Sequence, residues 1–276
     1  MKILVLVAAT FRELIARATL IVLAGISTFV LVVVAFTVSA EQSAEGVRLM
    51  LFGKEMAGLL PPERLFEIVS SVQASLARGL MLGVSILGVV ATASAMPETM
   101  ERGTVDLYLS KPIYRWELLL GRYLGAVGVI LANVVYFLGV LLVIHGLKFG
   151  VWNWGLLVAI PLLTFIFAAV YALVLLLGVV SRSSAIAIIG TILFVLFVQP
   201  LLTAREATLY RLSESSVYRG IVDGIYYLFP QLNEMEMQVA GLITGGAFVW
   251  TSILTSAGSA LVLGAAAAEI LRRRDF

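Results

Sequence analysis

Two residue types that carry much of protein chemistry are almost missing from this sequence. It contains no cysteine and a single histidine, His145. The first absence excludes disulfides, thiolate metal sites and cysteine nucleophiles, and the second excludes metal motifs that pair two histidines. His145 ends an apolar segment, so we expect it to face a membrane interface rather than to bind a ligand.

Charged residues are scarce as well. They make up 13% of the 276 residues, whereas hydrophobic residues make up 61%, and soluble domains usually carry about a quarter charged residues. A soluble fold of this length would have to cover its surface with apolar side chains, so the composition indicates an integral membrane protein. The net charge of +2 gives no reason to expect a nucleic-acid partner.

Several functional signatures are missing. The Gly-Lys pair at Gly53-Lys54 is preceded by Arg48 where a P-loop needs glycine, so we expect no ATP hydrolysis and no cofactor in this chain. No Gly-x-Ser-x-Gly elbow occurs. The main strongly polar side chains within the apolar segments are Asn133 and Gln199, both uncharged, which disfavours an ion-coupled carrier.

Six apolar segments are long enough to span a bilayer, which requires about 20 residues each. They are approximately Ala18–Ala40, Gly79–Met96, Leu118–Ile144, Trp154–Val180, Ala185–Leu202 and Ala247–Ala268. In lipid these segments must be helices, because each backbone polar group needs an internal partner. We therefore predict an all-α integral membrane protein with six transmembrane helices in a single membrane domain, residues 1–276.

Basic residues orient the predicted spans. Eleven of them, including Arg272–Arg274, lie on the flanks that contain both termini, and eight lie on the opposite flanks, which hold roughly twice as many residues. This density predicts a multi-pass protein of the cytoplasmic (inner) membrane with both termini and residues 97–117 in the cytoplasm. Residues 41–75 and 203–246 are then external segments.

A signal peptide is the competing interpretation of the first span, since Val38-Ser39-Ala40 is typical of a signal-peptidase site. The apolar stretch before it has about 23 residues, which is too long for a signal h-region. We therefore expect the segment to be retained.

Residues 1–17 predict an amphipathic helix that lies in the membrane interface, although they could instead lengthen the first span. Its apolar face is expected to contain Ile3, Leu4, Val7, Phe11, Leu14, Ile15 and Ala18. Thr10, Glu13 and Arg17 are expected on the polar face, with Glu13 and Arg17 at a favourable i,i+4 spacing.

The external segments carry two local signals. Pro61-Pro62 followed by acidic residues predicts a helix start. The aromatic run Ile225–Pro230 is typical of an interface belt, with a substrate-exit or gating role as the alternative.

Small residues recur at the spacing of the GxxxG motif. The pairs are Gly79/Gly83, Gly121/Gly125 and Gly241/Gly245. This spacing favours close helix packing, and a dimer face is the alternative.

A charged interruption between the second and third apolar segments carries the functional signal. Glu98-x-x-Glu101-Arg102-Gly103-Thr104 precedes Asp106-Leu107-Tyr108-Leu109-Ser110-Lys111-Pro112-Ile113, then Arg115-Trp116-Glu117 and Gly121-Arg122-Tyr123-Leu124-Gly125. This order resembles the loop after the second span of ABC-2-type transporter permeases, where an acidic Gly-Thr turn precedes an L-S-x-P-[IV]-x-R-x-E run and a G-[KR]-x-x-G helix. Tyr226–Leu232 also resembles the family's Y-Y-x-x-P-N-L run, with Gln231 in place of asparagine.

The resemblance implies a type-2 ABC exporter-like fold and a permease subunit driven by a separate cytoplasmic ABC ATPase that binds ATP and Mg. It implies ATPase docking (coupling) by Glu98, Glu101, Arg102, Gly103, Thr104, Asp106 and Lys111. Arg115, Glu117 and Arg122 would orient the start of the third span. Further implied partners are a second permease copy or paralogue, membrane lipid and an external accessory protein.

Two other functions compete with this one. A non-transporting membrane scaffold or assembly factor could anchor an ATPase and an external partner. A lipid-modifying enzyme is disfavoured, because acids and histidines do not cluster near the interfaces. The apolar spans with scattered Ser and Thr favour an amphipathic or lipid-like substrate over a bare ion.

Overall fold

The structure is a computed structural model that describes residues 2–16, 18–43, 46–51, 54–95, 97 and 114–273. Within these residues, six helices are long and apolar enough to cross a membrane. All six overlap the spans predicted from the sequence, and the prediction of a membrane part built only of helices is confirmed.

The first helices are α1, Lys2–Ile15, and α2, Ala18–Thr37. α1 is the N-terminal helix expected from the sequence, and α2 is the first span. α2 continues directly into a small antiparallel sheet, which the sequence did not predict. Its strands are β1, Val38–Ser43, β2, Gly46–Leu51, and β3, Lys54–Leu60, in that order.

The second span is longer than expected. α3 comprises Pro62–Gly83, the π-helical turn Val84–Gly88 and the α-helical turn Val89–Thr92. The helix start predicted at Pro61-Pro62 therefore belongs to the same helix as the span predicted from Gly79. Proline is favoured in a first turn, because the N–H that it lacks would have no partner there.

The next three spans are α4, α5 and α6. α4 is Arg115–Phe149 and α5 is Gly155–Ser181. α6 comprises Ser184–Leu193, the π-helical turn Phe194–Val198 and the α-helical turn Gln199–Thr203. The 35 residues of α4 give a length of about 52 Å, so α4 extends beyond a hydrocarbon core of about 30 Å.

Two short helices precede the last span. α7, Ser216–Leu228, and α8, Leu232–Thr244, are joined by a short turn at residues 229–231, which we call the hairpin turn, and α9, Thr251–Arg273, follows. The hairpin turn is inserted beside α9, because the backbone N–H of Gln231 donates to Ser256 Oγ at 2.9 Å. Thr255 Oγ1 donates to Gln231 Oε1 at 2.9 Å.

α5 is the central helix of the bundle. Within its span 72% of residues are buried, against 22–44% in the other five spans, and α4, α6, α8 and α9 all pack on it. The remaining apolar faces, such as that of Phe29 and Phe36 on α2, are exposed as expected for surfaces in lipid. We call the end of the bundle where α3 ends and α4 begins the loop end, and the end that holds α7 and α8 the hairpin end.

Three side chains lie elsewhere than the sequence suggested. Thr10, expected on the polar face of α1, is only 2% exposed because it packs against α4. His145 does not face an interface. It is buried, its Nδ1 lies 2.9 Å from Leu141 O, and its ring stacks on Phe149. Tyr226 belongs to no exposed aromatic belt, because it is 2% exposed.

Candidate functional site

The first turn of α4 is fixed by a local hydrogen bond. Glu117 Oε2 accepts from the backbone N–H of Tyr114 at 2.9 Å, and an acidic side chain at this position also compensates the positive end of the helix dipole. The side chains of Tyr114 and Trp116 are more than half exposed, and exposed aromatic residues at the end of a span are typical of a membrane interface.

Arg115 ties the start of α4 to the end of α9. Its Nη1 donates to the backbone oxygens of Leu271 and Arg272, at 3.0 and 3.1 Å. The last carbonyl groups of a helix have no hydrogen-bond partner within the helix and carry partial negative charge. The guanidinium group of Arg115 supplies both the missing donors and a compensating positive charge. These two hydrogen bonds hold the first turn of α4 against the end of α9.

Two glycines of α4 form a groove for α1. A Cβ atom at Gly121 would lie 2.6 Å from Leu6 Cβ, and one at Gly125 would lie 2.5 Å from Thr10 Cβ. No side chain fits at these distances, so glycine is what permits the two helices to touch. The Gly121/Gly125 pair therefore serves packing within the chain, as the sequence favoured.

Arg122 lies between the two glycines and faces α1. It is 5% exposed, and its Nη1 forms a salt bridge with Glu13 Oε2. Sliding α1 along α4 would separate the two groups and leave the buried Arg122 charge without its partner. The salt bridge therefore favours one register of α1 on α4. Arg122 thus joins the start of the third span to α1, through a partner 109 residues away.

A column of aromatic rings connects α4 to α5. Tyr123 stacks on Tyr171 and Tyr171 stacks on Phe167, with ring centroids 5.9 and 5.6 Å apart. Tyr123 OH donates to Ala168 O at 2.9 Å. Tyr171 OH donates to Thr92 O in the last turn of α3, at 3.1 Å, so one fully buried ring joins three spans.

The residue before the charged loop is anchored too. Pro97 is buried, and a Cβ at Gly178 of α5 would lie 3.6 Å from the Pro97 ring, which is van der Waals contact. The described residues on either side of residues 98–113 are therefore each in contact with a span, Pro97 with α5 and Arg115 with α9.

The site residues predicted from the sequence divide into two groups. Arg115, Glu117 and Arg122 lie together in the first two turns of α4 and make the contacts above. The others, the docking residues, lie outside the described residues: Glu98, Glu101, Arg102, Gly103, Thr104, Asp106 and Lys111.

Sequence reasoning missed Glu13 as the partner of Arg122 and Tyr171 as the joint between spans. The sequence indicated Arg17 as the partner of Glu13, because only local spacing is visible in a sequence. Arg17 lies outside the described residues, so that pair stays a prediction. A tyrosine within an otherwise apolar span was the available signal for Tyr171, since a buried hydroxyl needs a hydrogen-bond partner.

A second polar cluster lies at the hairpin end. Asp223 Oδ1 accepts from Arg205 Nε at 2.7 Å and from Tyr210 OH at 2.6 Å. These two hydrogen bonds, that of Tyr210 first, lower the pKa of the Asp223 carboxyl. The Arg205 guanidinium lies 3.8 Å from the ring centroid of Tyr226, whose hydroxyl donates to Glu234. Burial and the Glu234 hydrogen bond raise the pKa of Tyr226.

The hairpin turn is held by amide side chains. The Gln199 side-chain amide is oriented so that both its nitrogen and its oxygen form hydrogen bonds. Its nitrogen donates to Pro230 O at 3.2 Å, and its oxygen accepts from Leu232 N at 2.8 Å. Gln231, which stands where the resembling family has asparagine, leaves its Nε2 without a partner in the described part of the chain. These contacts fix α7 and α8 against α6 and α9.

The described residues contain no group of three or more His, Cys, Asp or Glu side chains that could hold a metal ion. What they contain is a set of contacts that joins α4 to α1, α5 and α9 at the loop end, and the polar cluster around Asp223 at the hairpin end. This combination defines a polytopic membrane protein in which the start of the third span is joined to several other helices.

The chain belongs to a known family. The family of ABC-2 family transporter proteins matches residues 12–276, so this protein is a membrane permease component of an ABC transporter. Membership implies an ABC ATPase partner in general. Among curated proteins, no sequence matches this chain.

Proposed function

We propose that this chain is the permease subunit of an ABC exporter and that residues 98–113 dock a separate cytoplasmic ATPase. The observation that supports this most strongly is the anchoring of the described residues on either side of the loop. Pro97 rests on α5, Arg115 binds the end of α9, and Arg122 binds α1. A merely solvated loop would not need both of its flanks fastened to different spans.

The docking surface is a mixed-charge one. Glu98, Glu101 and Arg102 make polar contacts to the ATPase, and Asp106 and Lys111 continue the surface. Gly103 allows a tight turn, because glycine adopts backbone conformations closed to other residues. Thr104 caps the helical turn that follows. A positive-inside trend alone would not explain the acids, since that rule concerns lysine and arginine.

Coupling proceeds through the junction at the start of α4. ATP and Mg bind to the partner ATPase, and closure of its two copies moves the docked loop. Arg115 carries the movement to α9, and the glycine groove with Arg122 carries it to α1. ATP can shift the permease between two states only if the ATPase conformations that it selects interact differently with those states. The loop must therefore bind both ATPase conformations while it transmits the displacement.

The proposal includes the orientation and the assembly. Both termini and residues 97–117 face the cytoplasm, and residues 41–75 and 203–246 lie outside. α1 lies at the cytoplasmic interface, where its exposed Leu4, Val5 and Ile15 contact lipid. A second permease copy or paralogue completes the membrane unit, and an external accessory protein has the β-sheet and hairpin end as its accessible surface.

The test is co-purification of the tagged chain from its native membrane in a mild detergent, followed by mass spectrometry. We expect a stoichiometric ATPase subunit with a P-loop, lost in the double variant Glu98→Lys/Glu101→Lys. The matched control is Glu206→Lys/Glu214→Lys, which reverses two exposed acids at the hairpin end and should retain the ATPase. Recovery of the folded wild-type chain without any ATPase would refute the proposal.

A transporter is separated from a scaffold by the activity of the recovered complex. Substrate should stimulate ATP hydrolysis by a transporter, whereas a scaffold that only anchors an ATPase has no reason to respond. Retention of the ATPase with no response to any candidate substrate would favour the scaffold.

A further inference from the structure

A cavity of about 150 Å³ lies between α3, α6 and α8 near the hairpin end. Its walls are mainly apolar, and Met81, Leu196 and Leu232 contribute to them. Three polar side chains also line it, namely Ser85, Asn233 and Glu236. A water molecule occupies about 30 Å³ of liquid, so the cavity holds a small polar group and a few methylenes rather than a whole lipid.

Both π-helical turns of the described chain border this cavity. Ser85 belongs to the turn Val84–Gly88 of α3, and Leu196 belongs to the turn Phe194–Val198 of α6. A π-helical turn is rare and locally costly, and it commonly occurs at functional sites. Here two such turns lie on separate spans and face the same cavity. This indicates that the backbone there is shaped for an occupant.

The polar groups of the cavity have unused hydrogen-bonding capacity. Ser85 is 3% exposed, and no hydrogen bond joins its hydroxyl to another described residue. Several serines and threonines elsewhere in the spans donate to the carbonyl four residues earlier, as Thr92 does to Gly88 and Thr164 does to Ile160. Asn233 donates from Nδ2 to Thr203 Oγ1 at 3.3 Å, which leaves its Oδ1 as an acceptor.

Glu236 gives the cavity its charge. No basic side chain of the described residues lies within salt-bridge distance of it, and no described donor binds its carboxylate. Arg78 of α3 is close enough to act through its charge, but its side chain is exposed. Burial is the larger effect, and it raises the pKa of the Glu236 carboxyl. A partly buried carboxylate without a partner attracts a cation.

We propose that this cavity binds the ammonium group of an amphipathic amine. A primary ammonium group has three N–H donors and no acceptor. The cavity offers three acceptors, namely the Glu236 carboxylate, Ser85 Oγ and Asn233 Oδ1, and apolar walls for the first part of an alkyl chain. An anionic group would be repelled by Glu236, and a neutral alcohol would leave the carboxylate without a counter-charge.

This inference rests on the proposed transport function only in so far as the amine is taken to be a transported substrate. The site itself concerns this chain alone. It can therefore be tested on the purified permease in lipid nanodiscs, without the ATPase.

The experiment measures the binding of radiolabelled octylamine, with octanol and octanoate as competitors of equal chain length. We expect octylamine to be displaced by unlabelled octylamine and by neither of the other two. Glu236→Gln should weaken binding at least about tenfold, because a charge-assisted hydrogen bond is lost. Ser85→Ala should weaken it about two- to fivefold. Glu206→Gln removes an exposed acid outside the cavity and should bind like the wild type.

A second readout needs no variant. Dicyclohexylcarbodiimide reacts with carboxyl groups in apolar surroundings, and octylamine should protect Glu236 in the wild-type chain. Peptide mass spectrometry should then find Glu236 unmodified, without the N-acylurea adduct and without the octylamide that forms if the amine instead attacks the activated carboxyl. Equal displacement by octanol, equal affinity of Glu236→Gln, or labelling of Glu236 that octylamine leaves unchanged would overturn the site. Failure of ATPase docking with amine binding intact would refute the proposed function alone.

Discussion

The glycine groove between α4 and α1 predicts the effect of adding a single methyl group. In Gly125→Ala the new Cβ would lie 2.5 Å from Thr10 Cβ, whereas carbon atoms in contact lie about 3.5–4.0 Å apart. α1 must therefore move away by roughly 1 Å or more. Overpacking of this kind costs about 1–3 kcal/mol, but alanine also raises helix propensity by about 1 kcal/mol over glycine.

The control variant separates these two effects. Gly139 lies in the same helix, and a Cβ there would meet nothing within 4 Å. Gly139→Ala thus gains the helix propensity without the clash. The difference between the two variants isolates the contact with α1, and we expect it to be about 1–3 kcal/mol in favour of Gly139→Ala.

A cysteine at position 10 reports whether α1 is docked. The chain has no cysteine and Thr10 is 2% exposed, so Thr10→Cys supplies the sole thiol and should react slowly with maleimide. A loss of 1–3 kcal/mol corresponds to about a 5- to 150-fold larger open fraction, and the labelling rate in the Gly125→Ala background should rise accordingly. Equal rates in the Gly125→Ala and Gly139→Ala backgrounds, with both proteins folded, would refute the docking of α1 on this face.

Three further predictions concern the charged groups. Arg122→Glu and Glu13→Arg should each lower the unfolding temperature, and the double exchange should recover part of the loss. We expect a coupling energy of about 1–2 kcal/mol, because Glu13 is partly exposed. Purely additive losses in the double-mutant cycle would argue against the pair. Because the pKa of Asp223 is lowered, the ionised Asp223 carboxylate stabilises the fold fully above the ordinary aspartate pKa. This stabilisation is lost as pH falls through the lowered value, so thermal melts of Asp223→Asn should lack this acid-induced loss. The raised pKa of Glu236 has the opposite effect on the pH dependence of stability. Stability should fall as pH rises from the ordinary glutamate pKa through the raised value, and Glu236→Gln should remove this dependence. An unchanged dependence in that variant would assign it to another group.

The spans were predictable because the bilayer imposes a length and an apolar composition that a sequence displays directly. The start of α3 was less visible, since Arg64, Glu67 and Arg78 interrupt its apolar pattern. These side chains are compatible with a long helix that begins outside the hydrocarbon core. The three-stranded sheet before it was missed, because its short strands have no membrane signature.

Partners in space were the part of the site that the sequence could not supply. Arg115 and Arg122 were correctly placed at the start of the third span, but their contacts come from α9 and α1, which are 156 and 109 residues away. The amphipathic pattern of α1 indicated two faces without showing that α4 covers the one with Thr10. The docking roles of Glu98, Glu101 and the residues that follow them stay predictions.

The central claim is that movement of the ATPase-docked loop is passed on to the spans of the bundle, and a reporter at Ser85, in the π-helical turn of α3, tests it most directly. Ser85→Cys is close to the original side chain in size and lines the cavity between α3, α6 and α8. We would measure its maleimide labelling rate in the reconstituted complex, first without nucleotide and then with ATP and vanadate. The rate should change when nucleotide is trapped, and Gly125→Ala should abolish the change while the ATPase stays bound. An unchanged rate in a complex that binds and hydrolyses ATP would contradict the account.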